Sequence, residues 1–458
     1  MRRVLILAAA FLVGCPPQTI PKLPPATQFY FPTGIVHVDR PDGGGEGALY
    51  VASANFDKRF DFGSVMAVDL NRIGMPDFGA PVDGGVARQI TDLMIDPESM
   101  VRIASFGGEL AALPMPNGVR LFIPTRSEGH RLYAIEAPSA PSATGFPRLL
   151  CFTRTEGGPN EDCTVSGFSF VLNERSETGV PRAPSPIGVA VSPPPKREVW
   201  VTALQQADSP RGSTLGVRGY VVHVNGDNPI VLDRNFVNVG PGGTSSVVVS
   251  DGYAYATGRI YAASVPASLV RAIDTTTYET INTSLENTFT AFEGRGAALS
   301  SDGKRLYVVG RSPDTLLVTS VKGNDVRVMR TVPLPEGPSL VTTIKREGKS
   351  DLVVITCSTS GVVAFYDDEV GNLVAQISGV GLQPFAMAVD TRASSAVPPD
   401  ASGGARLYVT NFTDGRVTVI DVPELSRPAS AKIVAFLGNT QLCITRGANE
   451  RGCDGGVQ

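Results

Sequence analysis

Residues 382–391 (LQPFAMAVDT), 405–412 (ARLYVTNF), 415–422 (GRVTVIDV) and 431–438 (AKIVAFLG) follow one another as four short apolar segments. Each is rich in β-branched and aromatic residues and too short for a helix, so each reads as a strand. The unit recurs upstream. In these copies Asn117-Gly118, Asp251-Gly252, Asp302-Gly303 and Glu347-Gly348 link first strand to second, because Gly supplies positive φ and Asn or Asp before it tolerates the same region. Residues 294–335 give GRGAALSSDGK, RLYVVGR, TLLVTSV and VRVMRTVPL, and residues 32–70 give PTGIVHVD, ALYVASANF and GSVMAVDL. Less regular copies occupy residues 108–137, 185–225, 244–275 and 338–368. No long segment carries a 3.6-residue apolar period.

The middles of the second strands fall at Tyr50, Phe122, Trp200, Ala254, Tyr307, Val353 and Tyr408. The period is about 60 residues, and four strands plus turns at such a spacing predict a β-propeller of seven four-stranded antiparallel blades over residues 32–438. Two long intervals mark insertions at roughly 71–98 and 138–184. Each blade would begin with an inner strand and finish with an outer one, and no strand would be borrowed from the other terminus. Ring closure would then rest on packing between blades one and seven, through Ile35, Val36, Ala386 and Val389.

Tyr408-Val409-Thr410-Asn411, followed by Asp414-Gly415 and Val419-Ile420-Asp421, resembles the YVTN-type repeat of bacterial surface and periplasmic seven-bladed propellers. Residues 49–55 (LYVASAN) and 306–309 (LYVV) match it in part. The repeat is shared with lactonase-type propellers, so the resemblance implies either a binding module or a lactone hydrolase acting at the mouth of the central channel. It does not look like a Trp-Asp-repeat propeller, since Trp200 is the one Trp of the chain.

The first residues read MRRVLILAAAFLVGC. Two Arg precede an apolar run far shorter than the roughly twenty residues that span a bilayer, which is the pattern of a secretion signal. Leu12-Val13-Gly14-Cys15 matches the bacterial lipobox, which implies cleavage after residue 14 and acylation of Cys15. The expected product is a cell-envelope lipoprotein, membrane-bound through that lipid. Pro at position 16 rather than Asp favours the outer membrane. Residues 15–31 hold several prolines and are expected to form an extended tether.

Five cysteines remain. Cys151 and Cys163 enclose turn formers, as do Cys443 and Cys453 in the tail at 439–458, and in an oxidising envelope each pair is expected to close locally. Cys357 shares a strand face with Val353 and Ile355 and reads as a buried small hydrophobe.

Charge and motif exclude several functions. The balance of 40 Lys and Arg against 44 Asp and Glu leaves no basic field for nucleic acid. Gly348-Lys349-Ser350 lacks the preceding glycine of a phosphate loop. Neither Gly-x-Ser-x-Gly nor His-Glu-x-x-His occurs, and no spacing calls for a metal or a cofactor. What the fold offers is a face: the links from second to third strands and from blade to blade emerge on one side. They present Asn55, Arg59, Glu109, Arg126, His130, Arg295, Arg311, Glu336, Gln383 and Asn411 as candidate contacts to a protein or small-molecule ligand. The reading is a monomeric, non-catalytic binding or scaffolding propeller, the lactonase-type hydrolase being its rival.

Overall fold

In the computed structural model the Tyr-Val-Thr-Asn segment is the second strand of a four-stranded antiparallel blade: Pro384–Arg392, Gly404–Asn411, Arg416–Val422 and Lys432–Leu437. The structure describes residues 22–440 except 40–44, 83–84, 128, 141–146, 153–160, 166, 173–182, 206–217, 230–234, 260–268, 284–292 and 393–402. Cys15, Cys443 and Cys453 lie outside the described residues.

Six further blades precede this seventh. Blade 1 is Pro32–Val38, Ala48–Ser53, Gly63–Asp69 and Met100–Ile103; blade 2 is Ala111–Met115, Gly118–Thr125, Arg131–Pro138 and Ser169–Val171. Blade 3 is Pro186–Val191, Glu198–Ala203, Tyr220–Asn225 and Phe236–Asn238; blade 4 is Gly243–Val249, Tyr253–Arg259, Val270–Asp274 and Thr280–Asn282. Blade 5 is Glu293–Leu299, Arg305–Arg311, Thr315–Lys322 and Asp325–Pro333; blade 6 is Pro338–Ile344, Leu352–Cys357, Val362–Asp367 and Asn372–Ile377. First strands of successive blades lie against one another around the whole ring, blade 7 against blade 1 included. The protein is an all-β seven-bladed propeller.

Strand alternation gives every blade two apolar faces. In blade 1, Leu49 and Val51 pack toward blade 7, whereas Tyr50 and Ala52 pack toward blade 2. The same division yields a separate buried core at each of the seven seams. Period-two geometry also corrects the expected closure set. Ile35 and Ala386 do meet at the seam between blades 7 and 1, but Val36 packs toward blade 2 and Val389 toward blade 6. Adjacent strand residues point to opposite faces, so Ile35 and Val36 cannot share one.

The two insertions do more than lengthen loops. Residues 71–98 cross to blade 7, where Arg88–Ile90 pairs parallel to the outermost strand Lys432–Leu437 and the Gly438 amide donates to the Ile90 carbonyl at 2.9 Å. Blade 7 keeps its own four strands, as expected, and receives a fifth from near the other end of the chain, which was not expected. The second insertion repeats the device one seam along. Asp162 bridges to Arg102 on the outermost strand of blade 1, and Cys151 is disulfide-bonded to Cys163 in the core between blades 1 and 2. Each insertion covers the open outer edge of the preceding blade, an edge whose unpaired amides would otherwise invite pairing.

Residues 22–31 depart from the expected free tether. Phe29 is fully buried at the closure seam, Tyr30 and Phe31 are buried beside Ala54 and Phe60, and Gln28 Nε2 donates to the Asn439 carbonyl. Cys357 is buried and unbridged, with burial pushing its thiol up to about 12, so it is an inert hydrophobe in this core.

Candidate functional site

The loop face spends most of its expected contacts on itself. Asn55 is 1 % exposed; its Nδ2 donates to the Phe60 carbonyl at 2.7 Å and to Ser105 Oγ at 3.0 Å. Asn411 is fully buried, donating from Nδ2 to Thr418 Oγ1 at 2.7 Å. Both asparagines therefore stitch second-to-third-strand links and are not open to a ligand. A short amide that bonds nearby backbone suits such a turn. Arg59 is ion-paired with Asp57 at 2.7 Å and lies over the Tyr30 ring, and Arg311 donates to the carbonyls of Gly337 and Pro338 and to Ser358 Oγ. Arg295 pairs with Glu293 at 2.8 Å. His130 Nδ1 accepts from the Ser185 amide, and burial lowers its pKa. Glu109 Oε2 accepts from the Val189 amide between the first strands of blades 2 and 3, and burial raises its pKa to about 7. Glu336 and Gln383 stay exposed, Gln383 Oε1 accepting from Thr413 Oγ1. Arg126 stacks over Phe106, and burial lowers its pKa. Glu109, His130 and Arg295 each face a different partner: the Val189 amide, the Ser185 amide and Glu293.

What this face does assemble is aromatic. Phe412 lies 5.0 Å from Phe31, 5.4 Å from Phe56 and 5.9 Å from Phe385 between ring centroids, and Phe56 lies 5.3 Å from Phe106. These five rings form a shelf across blades 7, 1 and 2 beside the channel mouth. Polar loop tips drew the sequence reading away from them. The signal was present as a repeated dipeptide, Asn55-Phe56 and Asn411-Phe412, in which the Asn turns the chain and the Phe follows it onto the face.

The opposite face holds a cleft of about 860 Å³ between blades 1 and 2. Its walls are Val38, Ala48, Ala112, Pro114, Met115, Pro116, Val119 and Pro138, and its polar groups are His37, Asp39, Tyr50, Asp69, Asn71 and Ser139. No Lys or Arg is among the described residues that line it. Desolvation, and secondarily the Asp69 charge, pushes the Tyr50 hydroxyl up to about 12, so it enters the site as a neutral donor. His37 Nε2 donates to the Glu46 carbonyl at 2.8 Å and its ring stacks on Tyr408. Asp39 approaches Nδ1 of His37 and Asp390 approaches Nε2, at 3.8 and 3.9 Å. One ligand atom from each of His37, Asp39 and Asp390 lies within 4.8 Å of the others, a spacing that could hold a cation.

No known family profile matches the chain, and no curated protein matches it in sequence. Solved structures do. Hydrazine synthase of Kuenenia stuttgartiensis shares 14 % identity at a TM-score of 0.50, over 89 % of this chain and 99 % of that one. The propeller domain of Cps50 (Swd1) from Myceliophteria thermophila shares 10 % identity at 0.47, over 87 % and 99 %. A Lactobacillus plantarum protein shares 14 % at 0.45, over 76 % and 84 %. Identities this low carry the fold and nothing of the chemistry.

Proposed function

We propose that this protein is a lipid-anchored, non-catalytic binding module of the bacterial cell envelope, and that its ligand is an organic cation with an apolar body. The cleft between blades 1 and 2 carries the reading. Its volume lies in the range of small-molecule sites, its walls are mostly aliphatic, and it carries the carboxylates of Asp39 and Asp69 with no Lys or Arg among the described residues that line it. An ammonium set near those carboxylates keeps its charge, while an alkyl or aryl body covers the Pro and Met walls. The rigid propeller holds both walls in place. The envelope address rests on Leu12 to Cys15, whose motif is that of an acylated precursor.

Titration with 4-phenylbutylammonium tests the cleft. Binding is expected for the wild type and is expected to be lost in Ala140→Trp, which fills the cleft from an exposed lining position, and to weaken about tenfold or more in Asp39→Lys, where attraction becomes repulsion. Equal affinity in all three proteins would move the ligand elsewhere.

A further inference from the structure

The aromatic shelf sits where the chain leaves the propeller toward Cys15. The Lys22 amide donates to Asp61 Oδ2 at 2.6 Å, and the Asp61 amide donates back to the Lys22 carbonyl at 3.0 Å. Lys22 is thereby pinned to the second-to-third-strand link of blade 1, the same link that carries Phe56 and Lys58. Six residues separate Cys15 from Lys22, and the seven steps along the chain, at 3.3–3.6 Å each, reach at most about 25 Å. A lipid on Cys15 therefore ties the chain to the bilayer at this face.

The chemistry of the face matches that position. Leu23, Phe56 and Leu382 are among the exposed large apolar residues, at 43 %, 47 % and 48 %. Lys22 and Lys58 are exposed beside them, with Lys58 Nζ 5.3 Å from the Phe106 ring and Lys22 Nζ 5.4 Å from the Phe60 ring. The neighbouring acids are neutralised or engaged: Asp57 by Arg59, Asp61 by the Lys22 amide, Asp414 by Arg416 and the Leu382 amide. Glu336 stays exposed farther round the ring, in the link between blades 5 and 6. An exposed ring and two exposed leucines flanked by lysines are the pattern of an interfacial anchor, in which apolar groups enter the acyl boundary and cations meet anionic headgroups.

We infer that this face docks on an anionic lipid surface, the shelf adding a second membrane contact to the acyl chain and turning the blade 1–2 cleft away from the bilayer. The orientation rests on acylation of Cys15; the affinity of the face for lipid does not. The test accordingly uses the chain from Pro16, which retains every described residue. It is expected to co-sediment with phosphatidylglycerol-containing vesicles, to be released by salt, and to ignore pure phosphatidylcholine. Phe56→Trp is expected to shift its emission to the blue on those vesicles, against a background of buried Trp200. Phe56→Ser with Lys58→Glu is expected to cut partitioning by about tenfold or more, since each basic residue near such a surface contributes about fivefold. Val370→Ser, at an exposed apolar position on the opposite face, is expected to change nothing. Absence of vesicle binding at low salt, or binding indifferent to the double substitution, overturns the inference. The anchor is tested apart from it, by detergent partitioning of the full chain and of Cys15→Ala: equal partitioning would remove the anchor while leaving the vesicle result to stand or fall alone.

Discussion

Glu109 is the one loop-face candidate whose environment changes its titration most. Its carboxyl accepts the Val189 amide, at a long 3.4 Å, against the desolvation of the inner wall, and its pKa rises to about 7. The folded protein therefore holds a proton that the unfolded chain has released above its ordinary value near 4.5. Between those two values the native state binds more protons, so stability falls as the pH rises through the window and levels off above about 7. The full shift would amount to about 3 kcal/mol, and the solvent contact the side chain keeps reduces it. Glu109→Gln is expected to flatten the pH dependence of the denaturation midpoint between about pH 4.5 and 7 and to stabilise the protein at pH 8. An unchanged slope in the variant would mean the proton is held elsewhere. Sequence alone placed Glu109 at a blade entrance but could not show that blade 3 closes over it. Asn55 and Asn411 misled for a related reason: a polar residue at a link looks the same in a sequence whether it faces solvent or its own turn.

At the scale of the strand, the repeat motif acquires a mechanism. First strands slip register just after their start, between Pro384 and Met387 in blade 7 and at the matching place in blades 3, 4 and 6. The slip leaves an inner-strand amide without a ladder partner, and a threonine of the second strand takes it. Thr410 Oγ1 accepts from the Ala386 amide at 2.9 Å, Thr202 from Gly188 at 2.9 Å, Thr257 from Ser246 at 3.1 Å and Thr356 from Leu340 at 3.1 Å. Thr410 is the Thr of Tyr-Val-Thr-Asn, so a residue of the repeated sequence pattern is the plug of a β-bulge. Thr410→Val keeps the shape and removes the acceptor, leaving the Ala386 amide buried and unpaired. The expected loss is about 1–3 kcal/mol in chemical denaturation with the m-value unchanged. A neutral outcome would show that the bulge relaxes to satisfy itself. Periodicity revealed the strands because burial on two faces imposes it on every blade; the bulge stayed hidden because it breaks no apolar pattern.

Over the whole molecule, one buried guanidinium joins the elements that meet at the closure seam, beside the apolar packing there. Arg406 of blade 7 is fully buried. Its Nε and Nη2 meet both oxygens of Asp421 at 2.6 and 3.0 Å, its Nη1 meets Glu46 of the blade 1 hairpin at 2.9 Å, and Nη2 also donates to the Pro76 carbonyl of the first insertion. Lys432 Nζ adds bonds to the carbonyls of Gly79 and Ala80, and the Gly79 amide donates to Asp421. Chain ends, insertion and hairpin thus converge on one point. The lengths of the insertions were legible from the repeat, but not where they go, because a loop's destination depends on which edge is left uncovered. Arg346 offers a contrast, since it pairs with Asp367 and donates to the Ser350 carbonyl, both inside blade 6. Arg406→Ala would leave Asp421 buried without its counter-ion, at a cost of roughly 3–5 kcal/mol. Hydrogen exchange is expected to rise together across residues 29–53 and 405–438 while blades 3 to 5 stay protected, whereas Arg346→Ala is expected to loosen blade 6 alone. If Arg406→Ala raised exchange only within blade 7, the seam would be held by its apolar core, and the ring would close without the clasp.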